Sequence, residues 1–205
     1  MSIVNSIETV REWLGSTVCP MVQLKLPDDS ATDASYPYKL VNPTAFSLFV
    51  PSKDRLPPKV PAPIPSVCVQ IVEGTDSLTM SSRSIKIRLC FSAWDPGYHG
   101  RDIFKPKNDG SGAFVQWQNE EAAAFFEKNG EGWRDAWNFV DTALRMIENA
   151  EYIGPLRVMK EDGITFGPVA EQDAVPDFYP YWFAWAEFSV EETLTRHAKN
   201  YDHLL

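Results

Sequence analysis

Residues 84–94 read SIKIRLCFSAW, and they decide the fold. Ile85, Ile87, Leu89, Phe91 and Ala93 fall on one side of an extended chain, with Lys86, Arg88, Cys90 and Ser92 on the other. A period of two is the signature of a half-buried strand. Just upstream, residues 67–73 repeat the pattern with Val67, Val69 and Ile71 set against Cys68 and Gln70. Gly74-Thr75-Asp76 is expected to turn the chain between them. Two such runs this close predict an antiparallel pair, with the polar stretch Ser77 to Ser84 reaching past the core as a long hairpin. Asp95-Pro96-Gly97 ends the second strand.

Other elements line up around this pair. Ile3, Ile7, Val10 and Leu14 recur at helical spacing, so residues 3–14 predict an amphipathic helix, with Ser2 as N-cap and Gly15 as its stop. Val22, Leu24 and Leu26 alternate with polar residues in a short strand over 20–26. Nine of the 16 prolines lie between Pro27 and Pro65, which rules out a helix or a central strand there. That stretch, about 27–64, reads as an extended insertion whose apolar run Ala45 to Val50 packs on something. A second insertion, about 98–130, is rich in glycine and polar residues and predicts one short helix at 118–128. Trp133, Trp137, Val140, Leu144 and Ile147 form an apolar stripe over 132–149, the strongest helix of the chain. Gly154-Pro155 ends that element. Residues 156–169 alternate loosely around Asp162-Gly163, a hairpin-type turn. The last strand, 180–194 (PYWFAWAEFSVEETL), places Trp182, Ala184, Ala186, Phe188 and Val190 on one face. Tyr181, Phe183 and Trp185 begin the other face, so the first half of this strand is expected to be covered on both sides. The order predicts an α+β domain spanning 1–205, an antiparallel or mixed sheet with helices packed on one face.

Composition narrows the function. Of 205 residues, 44% are hydrophobic and 23% charged, an ordinary globular balance. The net charge of −9 gives no electrostatic drive onto phosphate or an anionic membrane. No run of about 18 apolar residues is present, and Met1 to Leu14 lacks the basic and apolar stretches of a signal peptide. Cys19, Cys68 and Cys90 are odd in number, widely spaced and without metal-ligand spacing, which predicts reduced thiols in a reducing cytoplasm.

Constellations that could carry chemistry are few. Asp95, His99 and Asp102 lie within eight residues and could hold a divalent metal, but Pro96, Gly97 and Gly100 account for the segment as a turn. His197 and His203 lie in a polar tail, and Glu191-Glu192 reads as a solvated strand end. No phosphate loop, nucleophile elbow or HExxH is present. Neither catalytic residues nor metal or cofactor ligands are therefore assigned. The aromatic run PDFYPYWFAW (176–185) carries more ring area than one sheet face of a small domain needs. Aromatic residues are enriched at interface cores, so Phe178, Tyr179, Tyr181 and Trp182, together with Phe46 and Phe49, are the candidate contact residues.

Three segments carry a resemblance. PSVCVQIVEGTDS (65–77) leads into SIKIRLCFSAWDPG (84–97); EGWRDAWNFVDTALRMIEN (131–149) follows; DFYPYWFAWAEFSV (177–190) closes the set. In this order they resemble the tail terminator, or tail completion, proteins of long-tailed bacteriophages and prophages. The two insertions are longer than the compact family pattern. The resemblance implies a structural protein, not an enzyme, needing no cofactor. It would form a ring, usually of six copies, on the head-proximal end of the tail tube, halting tube growth and offering a joining surface for the head. Its implied partners are itself, the tail tube protein and the head–tail connector, with the sheath added in contractile tails. DNA would pass through without specific binding, no membrane would be involved, and the protein would be assembled in the bacterial cytoplasm and reside in the virion tail. Another virion joint protein, a head–tail connector or minor tail component, is the alternative.

Overall fold

The structure is a computed structural model. It describes residues 2–28, 38–77, 79–96, 104–106, 114–116, 132–170, 174–176 and 178–193. The expected helix at 118–128 and the histidines at 99, 197 and 203 lie outside these residues.

The architecture is α+β: a curled, mixed sheet with both helices on one face. Strand β4 (Ser66–Ser77) pairs antiparallel with β5 (Ser82–Trp94), as the alternation predicts. The expected turn at Gly74-Thr75-Asp76 is instead part of β4. Those residues pair with Ile85, Ser84 and Arg83, after a bulge between Ile71 and Glu73 restores the register. On its other side β5 pairs along its whole length with β11 (Tyr181–Thr193). Strand β3 (Thr44–Ser47) adds to β4 in parallel at one edge. Beyond β11 lie β9 (Leu156–Val158) and β8 (Tyr152–Ile153), while β10 (Thr165–Pro168) pairs with the first half of β11. Strands β1 (Leu24–Pro27) and β2 (Tyr38–Val41) form a separate two-stranded sheet, as do β6 (Phe104–Pro106) and β7 (Phe114–Gln116). The described residues of the proline-rich insertion therefore contribute an edge strand, one strand of a side ribbon and a 3₁₀ turn at Lys53–Arg55, as missing donors require.

Helix α1 (Ile3–Trp13) starts where Ser2 Oγ accepts the Asn5 amide at 3.2 Å. Gly15 does not stop it. The helix continues as a π-turn, Leu14–Val18, and a 3₁₀ turn, Cys19–Met21, before Val22 becomes extended. Gly15 keeps φ outside the left-handed region, and a Cβ there would meet only Ala45 Cβ at 3.9 Å. Nothing makes it a terminator. Leu14 and Val18 are buried, so packing carries the helix onward.

Helix α2 (Trp133–Asn149) turns a different face to the sheet from the one its indoles suggest. The buried residues are Ala136, Phe139, Val140, Thr142, Ala143 and Ile147. Trp133 is 41% exposed, and Trp137 and Leu144 are half-buried. The apolar stripe is thus rotated by roughly 60° at 100° per residue. Ala136 and Ala143 let the backbone approach the sheet, and Phe139 meets Phe91 edge-on at 4.9 Å. Trp137 rests at the margin, edge-on to Phe166 at 6.4 Å.

The expected hairpin around Asp162-Gly163 does not form. The hairpin is at Gly154-Pro155, where Gly154 takes φ +59° and joins β8 to β9. Strands β9 and β10 do not pair with each other; each pairs separately with β11. The first half of β11 is also less covered than expected: Tyr181 is exposed and Phe183 and Trp185 are half-buried.

Phe139→Ala is expected to cost about 3–5 kcal/mol of stability and Trp133→Ala less than about 1 kcal/mol. Urea melts of the two variants check this, and equal costs would mean that the indole stripe faces the sheet.

Candidate functional site

The end of the sheet where β5 stops and β11 begins gathers most of the candidate aromatics. Phe178, Tyr179 and Tyr181 are 48%, 44% and 40% exposed. A turn holds them together, closed by the Tyr181 amide donating to the Phe178 carbonyl at 2.9 Å. Phe178 stands edge-on to Phe183 at 5.5 Å, and Tyr179 to Trp182 at 6.5 Å. Two hydrogen bonds tie this turn to the end of β5. Tyr179 OH donates to the Pro96 carbonyl at 2.9 Å, and Trp182 Nε1 to the Asp95 carbonyl at 2.8 Å. Trp182 is thus an anchor, while Phe178, Tyr179 and Tyr181 show their rings to solvent. Tyr181 also lines a groove of about 480 Å³ with Trp94, Leu26, Ile64 and two lysines, Lys39 and Lys53.

The two other candidates lie elsewhere. Phe46 is on edge strand β3 and only 6% exposed, so its ring belongs to this chain's own packing and is corrected as a contact residue. Phe49, at 69%, is fully available, beside Leu48 in a left-handed bend at φ +66°. Strand β3 is three strand spacings from β11, about 14 Å. The chain therefore offers two separate apolar patches, one at the sheet end and one on the β3 edge.

A buried charge cluster lies directly beneath the aromatic turn. Asp95 continues the core-facing parity of β5 and is buried, with Lys25 Nζ of β1 at 2.5 Å from its Oδ2. Asp135, in the first turn of α2, is the second carboxyl. Burial pushes Asp135 up to about 6, and the charge of Asp95 adds to the effect. Lys25 pulls the other way, while a hydrogen bond to Asp95 favours the protonated form. Gly132 completes the corner: a Cβ there would collide with the Asp95 carbonyl oxygen and sit 2.7 Å from Trp182 Nε1. This corner is the neck of the insertion that leaves after Pro96 and returns at Gly132. Of the Asp95, His99 and Asp102 trio, only Asp95 is among the described residues, and it is engaged by Lys25. Among the described residues no group of three metal-capable side chains occurs.

Two glutamates on β11 are buried, and for Glu192 this overturns the solvated strand end expected of it. Glu192 is buried, accepts from Ser6 Oγ of α1 at 2.7 Å and has Arg83 Nη1 at 3.8 Å. Glu187 is buried on the opposite face between Lys86 and Arg88, at 3.1 Å and 2.7 Å. Burial works against the Glu187 carboxylate, but hydrogen bonds from Arg88 and Lys86 outweigh it and hold its pKa below the usual range. Strand parity could have flagged Glu192 and Asp95, since both fall on the core-facing side of their strands.

No protein-family model matches the chain, and no curated protein matches it in sequence.

The proton on Asp135 has a measurable consequence. The folded state binds it more tightly than the unfolded chain does, so stability falls as pH rises from about 3.8 towards about 6. Asp135→Asn keeps a donor facing Asp95 at every pH. Its melting midpoint is expected to exceed the parent's by roughly 2–4 °C at neutral pH and to match it at pH well below the ordinary aspartate range. A shift of equal size at both pH values would show that the two carboxyls share no proton.

Proposed function

We propose that this chain is a structural protein of a long phage tail, closing as a ring of copies on the head-proximal end of the tail tube. In that role it ends tube growth and presents a surface to the head connector. The observation that supports this reading is the ordered resemblance of three separated segments together with where they fold. Residues 65–77 and 84–97 supply β4 and β5, 131–149 supplies α2, and 177–190 supplies most of β11. These are the sheet centre and the helix packed on it, so the likeness runs through the contiguous middle of the molecule rather than its loops.

Surface chemistry is compatible with the role. A closed ring needs a heterologous contact in which one patch of a subunit meets a different patch of its neighbour. The aromatic turn at Phe178–Tyr181, at the sheet end, and the Leu48–Phe49 bend, on the β3 edge, are two such distinct apolar patches. Neither is required by the chain's own core. An acidic surface, at a net charge of −9, suits a collar through which DNA passes without adhering.

Tail tubes polymerised with and without the purified chain test the reading. Electron microscopy is expected to show shorter tubes ending in a discrete ring when the chain is present, and light scattering a complex larger than one copy on tube ends. Tyr181→Asp is expected to abolish capping while leaving the melting midpoint within roughly 2–4 °C, because that ring is exposed in the single chain. Tubes of unchanged length, with the chain remaining a free monomer, would overturn it.

A further inference from the structure

Cys68 and Cys90 are direct partners across the β4–β5 pair. Parity puts both on the sheet face away from the helices, whereas Cys19 lies in the core on the helix side. The hydrogen-bond pattern fixes the class of this pair. Leu48 N–H donates to the Val69 carbonyl at 2.8 Å, and Thr44 N–H to that of Pro65 at 3.2 Å, so odd-numbered residues of β4 turn their peptide groups towards β3. Even-numbered residues, Cys68 among them, face β5. Cys68 and Cys90 thus occupy a hydrogen-bonded pair, whose Cα atoms stand about 5.5 Å apart. A disulfide's usual Cα span is roughly 5.5–6 Å.

Their exposures differ in a useful way. Cys90 is half-buried and reachable, with its Sγ 3.5 Å from Gln70 Oε1. Cys68 is 2% exposed and lies directly opposite Cys90. One accessible thiol backed by one sheltered thiol is the arrangement of an attacking and a resolving cysteine.

We propose that Cys68 and Cys90 form a reversible thiol–disulfide pair that accepts oxidation from small disulfides such as oxidised glutathione. In the first step the Cys90 thiolate attacks one sulfur of the small disulfide. That S–S bond breaks, and one small thiol leaves with the proton that Cys90 gave up. In the second step the Cys68 thiolate attacks the Cys90 sulfur, and the second small thiol leaves with the Cys68 proton. Two electrons pass from the protein to the reagent, and β4 and β5 become covalently joined. Cross-strand Cβ atoms lie about 4.5–5.5 Å apart, nearer the longer value in a hydrogen-bonded pair, while a disulfide wants about 3.5–4.5 Å. Closing the bond must draw the two Cβ atoms together by about 1 Å or more, which strains the bond and leaves it easy to reduce.

The thiols' environment sets the rate. Burial, and then the neighbouring Cys90, pushes Cys68 up to about 12, and burial also raises Cys90 despite the nearby Arg88 guanidinium. Exchange is therefore slow at neutral pH and quickens with each step towards alkaline pH. This chemistry is independent of the ring role, since it needs only the isolated chain.

Incubation of the folded chain with excess oxidised glutathione at mildly alkaline pH, then alkylation in denaturant and intact-mass measurement, tests it. The expected product has lost about 2 Da, takes one alkyl group, on Cys19, and yields a digest peptide joining Cys68 to Cys90. Dithiothreitol returns it to three alkylatable thiols. Cys68→Ser is expected to stop with one glutathione on Cys90, and Cys90→Ser to react at least tenfold more slowly. Wild-type protein that stalls with glutathione on Cys90 and a free Cys68, or that keeps all three thiols, overturns the proposal. Peptide mapping of the wild type alone decides between these outcomes if a serine variant fails to fold.

Discussion

Strands β5 and β11 pair over thirteen residues each and form the spine against which the other strands of the main sheet and α2 are laid. Every residue from Ser82 to Trp94 has a partner between Tyr181 and Thr193. Strand β4 is fixed by the far side of β5; β9 and β10 by the far side of β11; and α2 by the apolar face the two strands share. These strands lie far apart in the chain, so the loop-closure entropy of joining them is lost before any packing compensates. What offsets the loss is a continuous apolar stripe. Ile85, Ile87, Leu89, Phe91 and Ala93 meet Ala184, Ala186, Phe188 and Val190, and all of them are buried. Ala184 and Ala186 of β11 lie opposite Phe91 and Leu89 of β5, which leaves room for Phe139 of α2 over Phe91.

The same pairing explains how the chain carries its long insertion. Pro96 and Gly132, which flank residues 97–131, belong to one corner, where the Asp95 amide donates to the Pro180 carbonyl at 3.0 Å and Trp182 Nε1 returns a bond to the Asp95 carbonyl. Gly132 is glycine because no Cβ fits between that carbonyl and the indole. The neck is thus held by β5, β11 and α2 at once, and the sheet is indifferent to the length of what it carries. Loop length itself adds little cost once the ends are fixed.

Much of this was legible in the sequence wherever periodicity was strong and one face was buried. The alternation of SIKIRLCFSAW, the β4–β5 pairing and the Ser2 cap follow from two- and four-residue spacings and local hydrogen-bonding chemistry. Legibility failed where neighbours distant in sequence decide the outcome. Apolar weight favours Trp133 and Trp137 as the inner face of α2, but a helix lying on a sheet needs small residues beneath it, and Ala136 and Ala143 supply them. Gly74 resembles a turn, yet β5 is long enough to hold it in the ladder. The exposed Phe178–Tyr181 turn was visible as an excess of aromatic residues; that Phe46 is covered and Phe49 is not depends on a parallel strand that no local pattern announces.

The buried carboxylates give β11 a register that its apolar residues alone would not specify so sharply. A one-residue slip against β5 exchanges the two faces of the strand. In the observed register, Glu192 ends the core face beside Ser6 and Arg83, and Glu187 lies on the outer face between Lys86 and Arg88. After a slip, Glu187 would enter the apolar helix-side layer opposite Ile87 or Leu89, away from both cations. The cost of an unpaired buried charge, several kcal/mol, far exceeds the small difference among apolar packings. At the other end, Asp95 and Asp135 over Lys25 fix where β5 stops and α2 begins. Each cluster costs desolvation, and in the observed alignment each carboxylate lies beside a cation. For a protein whose proposed work is to present fixed patches to copies of itself, a few kcal/mol spent on a single register is a reasonable use of buried charge.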